Sequence, residues 1–421
     1  MKKIWIISDC EPLPCDEAPR LMRAGLLAEY LSINGWSVKW WAPSFNHGKK
    51  EERFSKSRKL KVNNHEMLIA LHSDINYKKN TSIQRVLFYK CLAQKMRKAF
   101  SIEKAPDVIF CSWPALSFAS EAIKYGKEKN IPVVLDVRDL WPDIFIRVFP
   151  NKMERLGEIM ISPLESQASS LLRKATAITG VTPSALEWGL RKAKREKSPL
   201  DRVVYIGYKD EKLAPETLEK ELQNWASMGI TESTFNFTYF GTFSSSTLDM
   251  VTVIRAFNKL SKENLDVRLV LCGDGDAFNE FKQAAKGNTR IIFPGWCSNS
   301  QIQSILQISN VGLYPFRNLE DFKNAFGNKI IGYLAAGIPV ITSLKGFPNL
   351  YLKKYDSGKN YVEGDPDSCY QTMKAFSDDI VLTKRMGENA RKRFEKEFDM
   401  KVVNGQLDLL LSNIIDSHSK M

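Results

Sequence analysis

A chain of 421 residues, 43% hydrophobic and 26% charged, is long enough for two domains with a full core each and has the composition of an ordinary soluble globular protein. No run reaches the roughly 18 apolar residues that a membrane span needs, since the longest, 330–341, is broken by Gly332, Gly337 and Pro339. The net charge of +13 favours polyanionic partners: nucleic acid, anionic lipid or phosphorylated small molecules.

The chain opens with Lys2 and Lys3 before Ile4–Ile7, which imitates a signal peptide. That apolar core is too short, and Asp9 and Glu11 follow at once, so 3–8 reads as a first buried strand. Leu21, Ala24, Ala28 and Leu31 recur at helical spacing over 20–34, and Gly35 is placed to end that helix. Trp36, Val38 and Trp40 alternate with Ser37 and Lys39 as in a strand. Further strands are predicted at 107–112, 132–137 and 202–206, with helices between them. The basic run 191–197 reads as a solvated loop. A second series starts at 235–241, continues through a helix carrying Met250, Ile254 and Phe257, and adds strands at 267–273, 290–293, 311–315 and 338–342. Strict alternation of the two element types implies parallel sheets covered on both faces. The seven cysteines form no C-x-x-C pair and the four histidines are dispersed, which fits a reduced cytoplasmic chain with no metal site.

In open parallel sheets, ligands sit beyond the carboxyl ends of the strands, so the residues just after each strand are the candidates for chemistry. Over 324–340 the sequence reads as a loop, a short helix from about Asn328, and a tight turn into a strand. A helix start suits a phosphate, and Lys329 in the first turn opposes the helix dipole unless an anion sits there; otherwise it is a surface lysine. Gly241 follows a strand, and Thr242 and Ser244 lie in a run of small hydroxyl residues that can cradle a diphosphate or simply cap the next helix. Asp139 follows strand 132–137 and can orient or deprotonate an acceptor hydroxyl. Arg138 beside it can bind phosphate, or the two can form a structural ion pair. Arg20 and Arg23, near the end of the first strand, either neutralise an acceptor phosphate or sit on a helix surface. Asp274-Gly275-Asp276 follows Gly273 at a strand end and reads as a turn, not as a metal motif.

The run Tyr333-Leu334-Ala335-Ala336-Gly337-Ile338-Pro339-Val340 resembles the signature of glycosyltransferase family 4. So do Pro294-Gly295-Trp296 and Val311-Gly312-Leu313-Tyr314-Pro315. The blocks Asp136–Asp143 and Trp40–His47 are similar to those of members that build cell-surface polysaccharides. The resemblance implies a GT-B fold, an α/β architecture of two doubly wound parallel-sheet domains facing across a cleft. It also implies retention of anomeric configuration, no obligatory metal and no cofactor. The donor is expected on the second domain, against Gly241, Thr242, Ser244, Gly273, Gly295, Trp296, Cys297, Asn328, Lys329 and Gly332. Pro294–Cys297 becomes a base-recognition loop, although Trp296 reads equally as core. The acceptor is expected on the first domain, near Arg20, Arg23, Arg138 and Asp139. Two glutamates usual in the family are replaced by Asn324 and Gly332, and the loop 242–248 lacks the usual basic residues.

The expected organisation is an acceptor-side domain over 1–206, a linker over 207–233, a nucleotide-sugar domain over 234–397, and a terminal helix over 398–421 that returns to the first domain. The expected activity is transfer of a hexose-type sugar from a nucleotide-sugar donor to a glycan, lipid-linked acceptor in capsule or O-antigen (lipopolysaccharide) synthesis. A catalytically silent sugar-nucleotide-binding or partner-binding protein is the alternative. The expected location is cytoplasmic, peripheral on the inner face of the plasma membrane, with Ile144, Phe145, Ile146, Val148 and Phe149 available to meet anionic lipid. No nucleic-acid motif accompanies the charge, so no nucleic-acid partner is expected.

Overall fold

The structure, a computed structural model, describes every residue except 10, 18, 80–81, 144–153, 264 and 421, and of 154–156 and 158 it describes the backbone alone. The apolar run 144–149, expected to meet lipid, lies outside the described residues. The chain divides into two compact units: Met1–Gly207 with Met400–Met421, and Tyr208–Asp399.

The first unit is built on an eight-stranded sheet. Its strand order is Arg202–Val203, Ala177–Gly180, Val133–Val137, Val108–Trp113, Lys3–Ile7, Ser37–Pro43, Glu66–Leu71 and Arg58–Lys61. All pairs are parallel except the last, which is antiparallel. That edge strand departs from the all-parallel expectation. Its Arg58, Lys59 and Lys61 are exposed, the charged lining that keeps a sheet edge from recruiting another strand. Helices Ile83–Phe100, Leu116–Lys129, Glu154–Lys174 and Pro183–Ala193 follow strands that step in one direction across the sheet, so right-handed crossovers put them on one face. Under them lies a core rich in aromatics, including Trp5, Trp41, Phe88, Phe100 and Trp113. The other face carries helices Arg23–Ile33 and Met400–His418, which bury Leu27, Leu31, Leu407, Leu411 and Ile414 together. The first helix begins at Arg23, three residues later than its apolar spacing suggested.

The second unit has a six-stranded, wholly parallel sheet. Its order is Ile291–Gly295, Val267–Cys272, Phe235–Phe240, Val311–Tyr314, Val340–Thr342 and Gly358–Asn360. Helices Met250–Glu263 and Pro366–Ser377 seal one face through Phe257, Leu260, Met373 and Phe376. The stretch 207–233, expected as a polar linker, is corrected: it holds helix Pro215–Ser227, and its Trp225 is buried with Val270, Cys272 and Ile305 on the other face of this sheet. Trp225 also donates its indole N–H to Ser304 Oγ at 2.9 Å. The surface of that helix is polar, which disguised its single anchoring side. No described helix is long and apolar enough to cross a membrane.

Candidate functional site

The carboxyl ends of three neighbouring strands in the second unit carry glycines in register. Gly241 N–H donates to Cys272 O at 2.8 Å, and Gly273 N–H donates to Gly295 O at 2.8 Å. Gly241 has φ +136°, and a Cβ there would lie 2.2 Å from Lys329 Cε; a Cβ on Gly273 would lie 1.9 Å from Gly241 O. Only glycine permits this approach, so the three strand ends expose bare backbone beside one lysine.

Lys329 sits in the first turn of helix Asn328–Ala335, whose N-cap, Gly327, offers no side chain to cap it. Its ammonium lies 5.4 Å from the Phe316 ring centroid and 5.9 Å from that of Tyr239. Burial lowers its pKa, and among the described residues no carboxylate offsets that effect. A cation held at a helix start with no counter-charge is a prepared seat for an anion. Tyr333, in the same helix, donates its hydroxyl to Thr238 O at 3.0 Å and Leu313 O at 3.1 Å, which fixes the helix over the sheet. Asn328 is exposed beside Lys329.

Thr242 and Ser244 line a turn that precedes helix Met250–Glu263 instead of capping it directly; Ser244 O accepts from Leu248 N–H at 2.9 Å. Arg317 was not singled out by the sequence. It closes on this turn, donating its backbone N–H to Thr247 O at 2.9 Å and Nε–H to Ser245 O at 3.0 Å. Its position just past strand Val311–Tyr314 is the signal that would have found it, and it gives the loop a basic neighbour that its own sequence lacks. Asp274 closes a turn through a bond from Gly275 N–H at 2.7 Å.

Trp296 is 77% exposed, which removes its reading as core. Cys297 is expected to contact the donor as part of the loop 294–297. Its side chain packs inward with Phe240 and Cys272, and hydrogen bonding with the Cys272 thiol lowers its own pKa while raising that of Cys272. Gly332 is buried, and a Cβ there would meet nothing closer than Phe240 Cζ at 3.6 Å and the Tyr208 hydroxyl at 3.7 Å. The absent glutamate is therefore not excluded by crowding.

In the first unit the strand-end charges form a buried network. Arg23 grips Asp136 through two bonds, Nε at 2.7 Å and Nη2 at 2.8 Å. Thr179 Oγ1 donates to the same carboxylate at 2.7 Å. Arg138 donates to Asp136 at 3.0 Å and also pairs with Glu11, which accepts in turn from Ala24 N–H at 2.9 Å. Burial pushes the Asp136 carboxyl up, but the two guanidinium groups outweigh it and hold the pKa below the usual carboxylate range. For Arg138, burial opposes the charge, while Glu11 and Asp136 raise its pKa above the ordinary value. The reading of Arg23 as a helix-surface or acceptor-facing residue is thus corrected, since it is buried against Asp136, and Arg138 is a member of the same ion network. The sequence could not connect Arg23 to Asp136, 113 positions away, or Arg138 to Glu11, 127 positions away. Asp139 stands exposed just beyond the network, and Arg20 is exposed in the loop before the first helix.

Two α/β units built on mainly parallel sheets give the GT-B fold, and residues 237–393 match the family described as Glycosyl transferases group 1. That match lies within the second unit. Over 167 residues, 39% of this chain, the sequence is 27% identical to N-acetyl-alpha-D-glucosaminyl L-malate synthase of Bacillus anthracis, a match that spans 42% of that relative. Among solved structures, sucrose-phosphate synthase from Thermosynechococcus elongatus superposes with TM-score 0.72 at 16% identity, covering 99% of this chain and 100% of that one. The HepE protein of Anabaena, solved with UDP and glucose, gives TM-score 0.64 at 14% identity, covering 98% and 100%.

Proposed function

We propose that the protein is a retaining, metal-independent glycosyltransferase. It takes a hexose-type sugar from a nucleoside-diphosphate donor and passes it to a lipid-linked glycan at the inner face of the plasma membrane, in capsule or O-antigen assembly. The observation that carries this reading is the Lys329 ammonium, set against Gly241 with no carboxylate among the described residues to neutralise it. In the reaction the bond between the sugar and the diphosphate breaks, the acceptor oxygen takes its place, and the acceptor hydroxyl loses its proton. Negative charge grows on the leaving diphosphate, where Lys329, the backbone at Gly241 and Gly273, and the hydroxyls of Thr242 and Ser244 stabilise it. Trp296 and Gly295 would face the base. Asp139 would take the acceptor proton, and Arg20 would meet an acceptor phosphate. The HepE structure with UDP supports a uridine donor.

The test is a thermal-shift screen with UDP, GDP, dTDP and CMP, followed by assay of the preferred nucleotide's sugar. A nucleotide at 100 times its dissociation constant stabilises by ~2.7 kcal/mol. Binding of one diphosphate and transfer with retained configuration bear the reading out. Binding without turnover on any acceptor would select the silent alternative, which Asn324 and Gly332 in place of the usual glutamates favour. Asp139→Asn should depress kcat and leave donor affinity unchanged; equal loss of both would assign Asp139 a structural role.

A further inference from the structure

From residue 75 to residue 102 the chain carries seven cations, Lys78, Lys79, Arg85, Lys90, Lys95, Arg97 and Lys98, and no acidic residue. This stretch contains helix Ile83–Phe100 of the first unit. One side of that helix is core: Phe88, Leu92, Met96 and Phe100 are buried. The opposite side of its first turns is also apolar, with Ile83 77%, Val86 54% and Leu87 44% exposed. Those three positions, i, i+3 and i+4, share one helical face, and Lys90 continues it one turn further. Lys78 and Lys79 are exposed just before the helix, and Lys79 O accepts from the Ser82 hydroxyl at 2.9 Å, which holds them at its start.

Some of the cations are already engaged. Lys95 pairs with Asp74 at 2.8 Å, and Arg85 lies over the rings of Tyr77, Tyr89 and Trp141. Lys78, Lys79 and Lys90 border the apolar stripe directly. Helix Glu154–Lys174 on the same face of the sheet exposes Ile159 and Met160 close to its start. Both helices run antiparallel to the strands, so both apolar turns lie toward the carboxyl ends of the sheet. A water-exposed apolar stripe within a one-sign cationic border complements one kind of surface, an anionic interface with hydrocarbon beneath it.

We infer that Ile83, Val86 and Leu87, bordered by Lys78, Lys79 and Lys90, form the seat by which the first unit docks on an anionic lipid bilayer. The inference rests on the reading that the acceptor is carried by lipid, and it names the surface that brings the enzyme to it. The apolar side chains enter the acyl boundary while the lysines meet headgroup phosphates.

The experiment is co-sedimentation of the full chain with vesicles of phosphatidylcholine alone and of equal parts phosphatidylcholine and phosphatidylglycerol. Binding is expected to the mixed vesicles only and should weaken with salt. Exchanging Lys78, Lys79 and Lys90 for glutamine should weaken it about a hundredfold, at about fivefold for each lysine. Val86→Glu with Leu87→Glu should abolish it with the melting temperature unchanged, since both residues are exposed. Absence of binding by the native chain, or undiminished binding by both variants, overturns the proposal. So does a native dimer that binds no vesicles and that Leu87→Glu converts to a monomer, because the stripe is then a contact between copies. Vesicle binding without sugar transfer would leave the docking surface standing and remove the transferase reading.

Discussion

Lys329 shows how a single charge is prepared for work. Burial makes its ammonium costly, two rings lie near it, and no acid among the described residues neutralises it. Removing it by Lys329→Ala should weaken UDP binding by roughly 10- to 100-fold, from a charged hydrogen bond worth ~1.5–3 kcal/mol, while uridine affinity stays the same. Calorimetric titration with both ligands checks this, and equal affinity of the variant and the parent for UDP would refute the role. Glu66 carries a different kind of stress. It is 4% exposed, and burial with help from Glu29 raises its pKa to about 7, against hydrogen bonds from Ser32 and Asn63 that act to lower it. Below pH 4.5 it is protonated in both folded and unfolded chains. As pH rises the unfolded chain releases the proton first, so stability falls until about pH 7 and then levels off. Glu66→Gln should therefore be neutral in acid and stabilising above pH 7, by up to about 3 kcal/mol. Melting curves at pH 4 and pH 8 (about the two ends of that window) decide it. Nothing in the sequence marked Glu66 out, since Ser32 and Glu29 reach it from another segment.

At the scale of elements, Asp136 is the knot between strand Val133–Val137, helix Arg23–Ile33 and strand Ala177–Gly180. Replacing it with asparagine leaves Arg23 and Arg138 buried with less counter-charge, and breaking such a pair costs about 3–5 kcal/mol. Asp136→Asn should lower the first transition in a denaturant titration without altering nucleotide binding by the second unit; lost nucleotide binding would show that the network serves the donor site. The elements themselves were legible wherever a strand was a buried apolar run with a glycine after it, as at Gly241 and Gly273. Less legible were segments whose pattern was diluted: Arg58–Lys61, charged because it is an edge, and Pro215–Ser227, mostly polar with Trp225 its one fully buried residue. The roles of Arg23 and Arg138 were illegible for another reason. An arginine's partner is set by strand order, and no local spacing brings residue 11 to residue 138. Trp296 went the other way: composition left core and ligand loop equally open, and only the turn after Gly295 exposes it.

Across the whole molecule, the first unit is completed by residues from both ends of the chain. Leu407, Leu410, Leu411 and Ile414 are buried with Leu27, Ala28 and Leu31, and Asn404 donates to Leu26 O at 3.0 Å. A chain ending at residue 399 should lose much of the first unit's stability and keep the second unit's nucleotide response. Proteolysis monitored by mass spectrometry, with cuts concentrated before residue 207, is the expected outcome; protection equal to that of the full chain would show that the helix adds little. The alternation of strands and helices made both sheets readable in advance, but the stretch expected as a linker over 207–233 belongs almost wholly to the second unit. The helix at 215–227 is as polar as a linker and is held to its unit chiefly by one tryptophan.

That return of the last helix sets an order of events on the ribosome. Some 207 residues of the first unit emerge before any of the second, yet the groove beside Leu27 and Leu31 has no occupant until the final residues are made. At a synthesis rate of 5–20 residues per second, roughly 10–40 s separate the two moments. Meanwhile the second unit, contiguous in sequence, can finish folding alone. The half of the protein that is translated first is therefore the half that matures last, and during that wait its apolar flank is a substrate for chaperones.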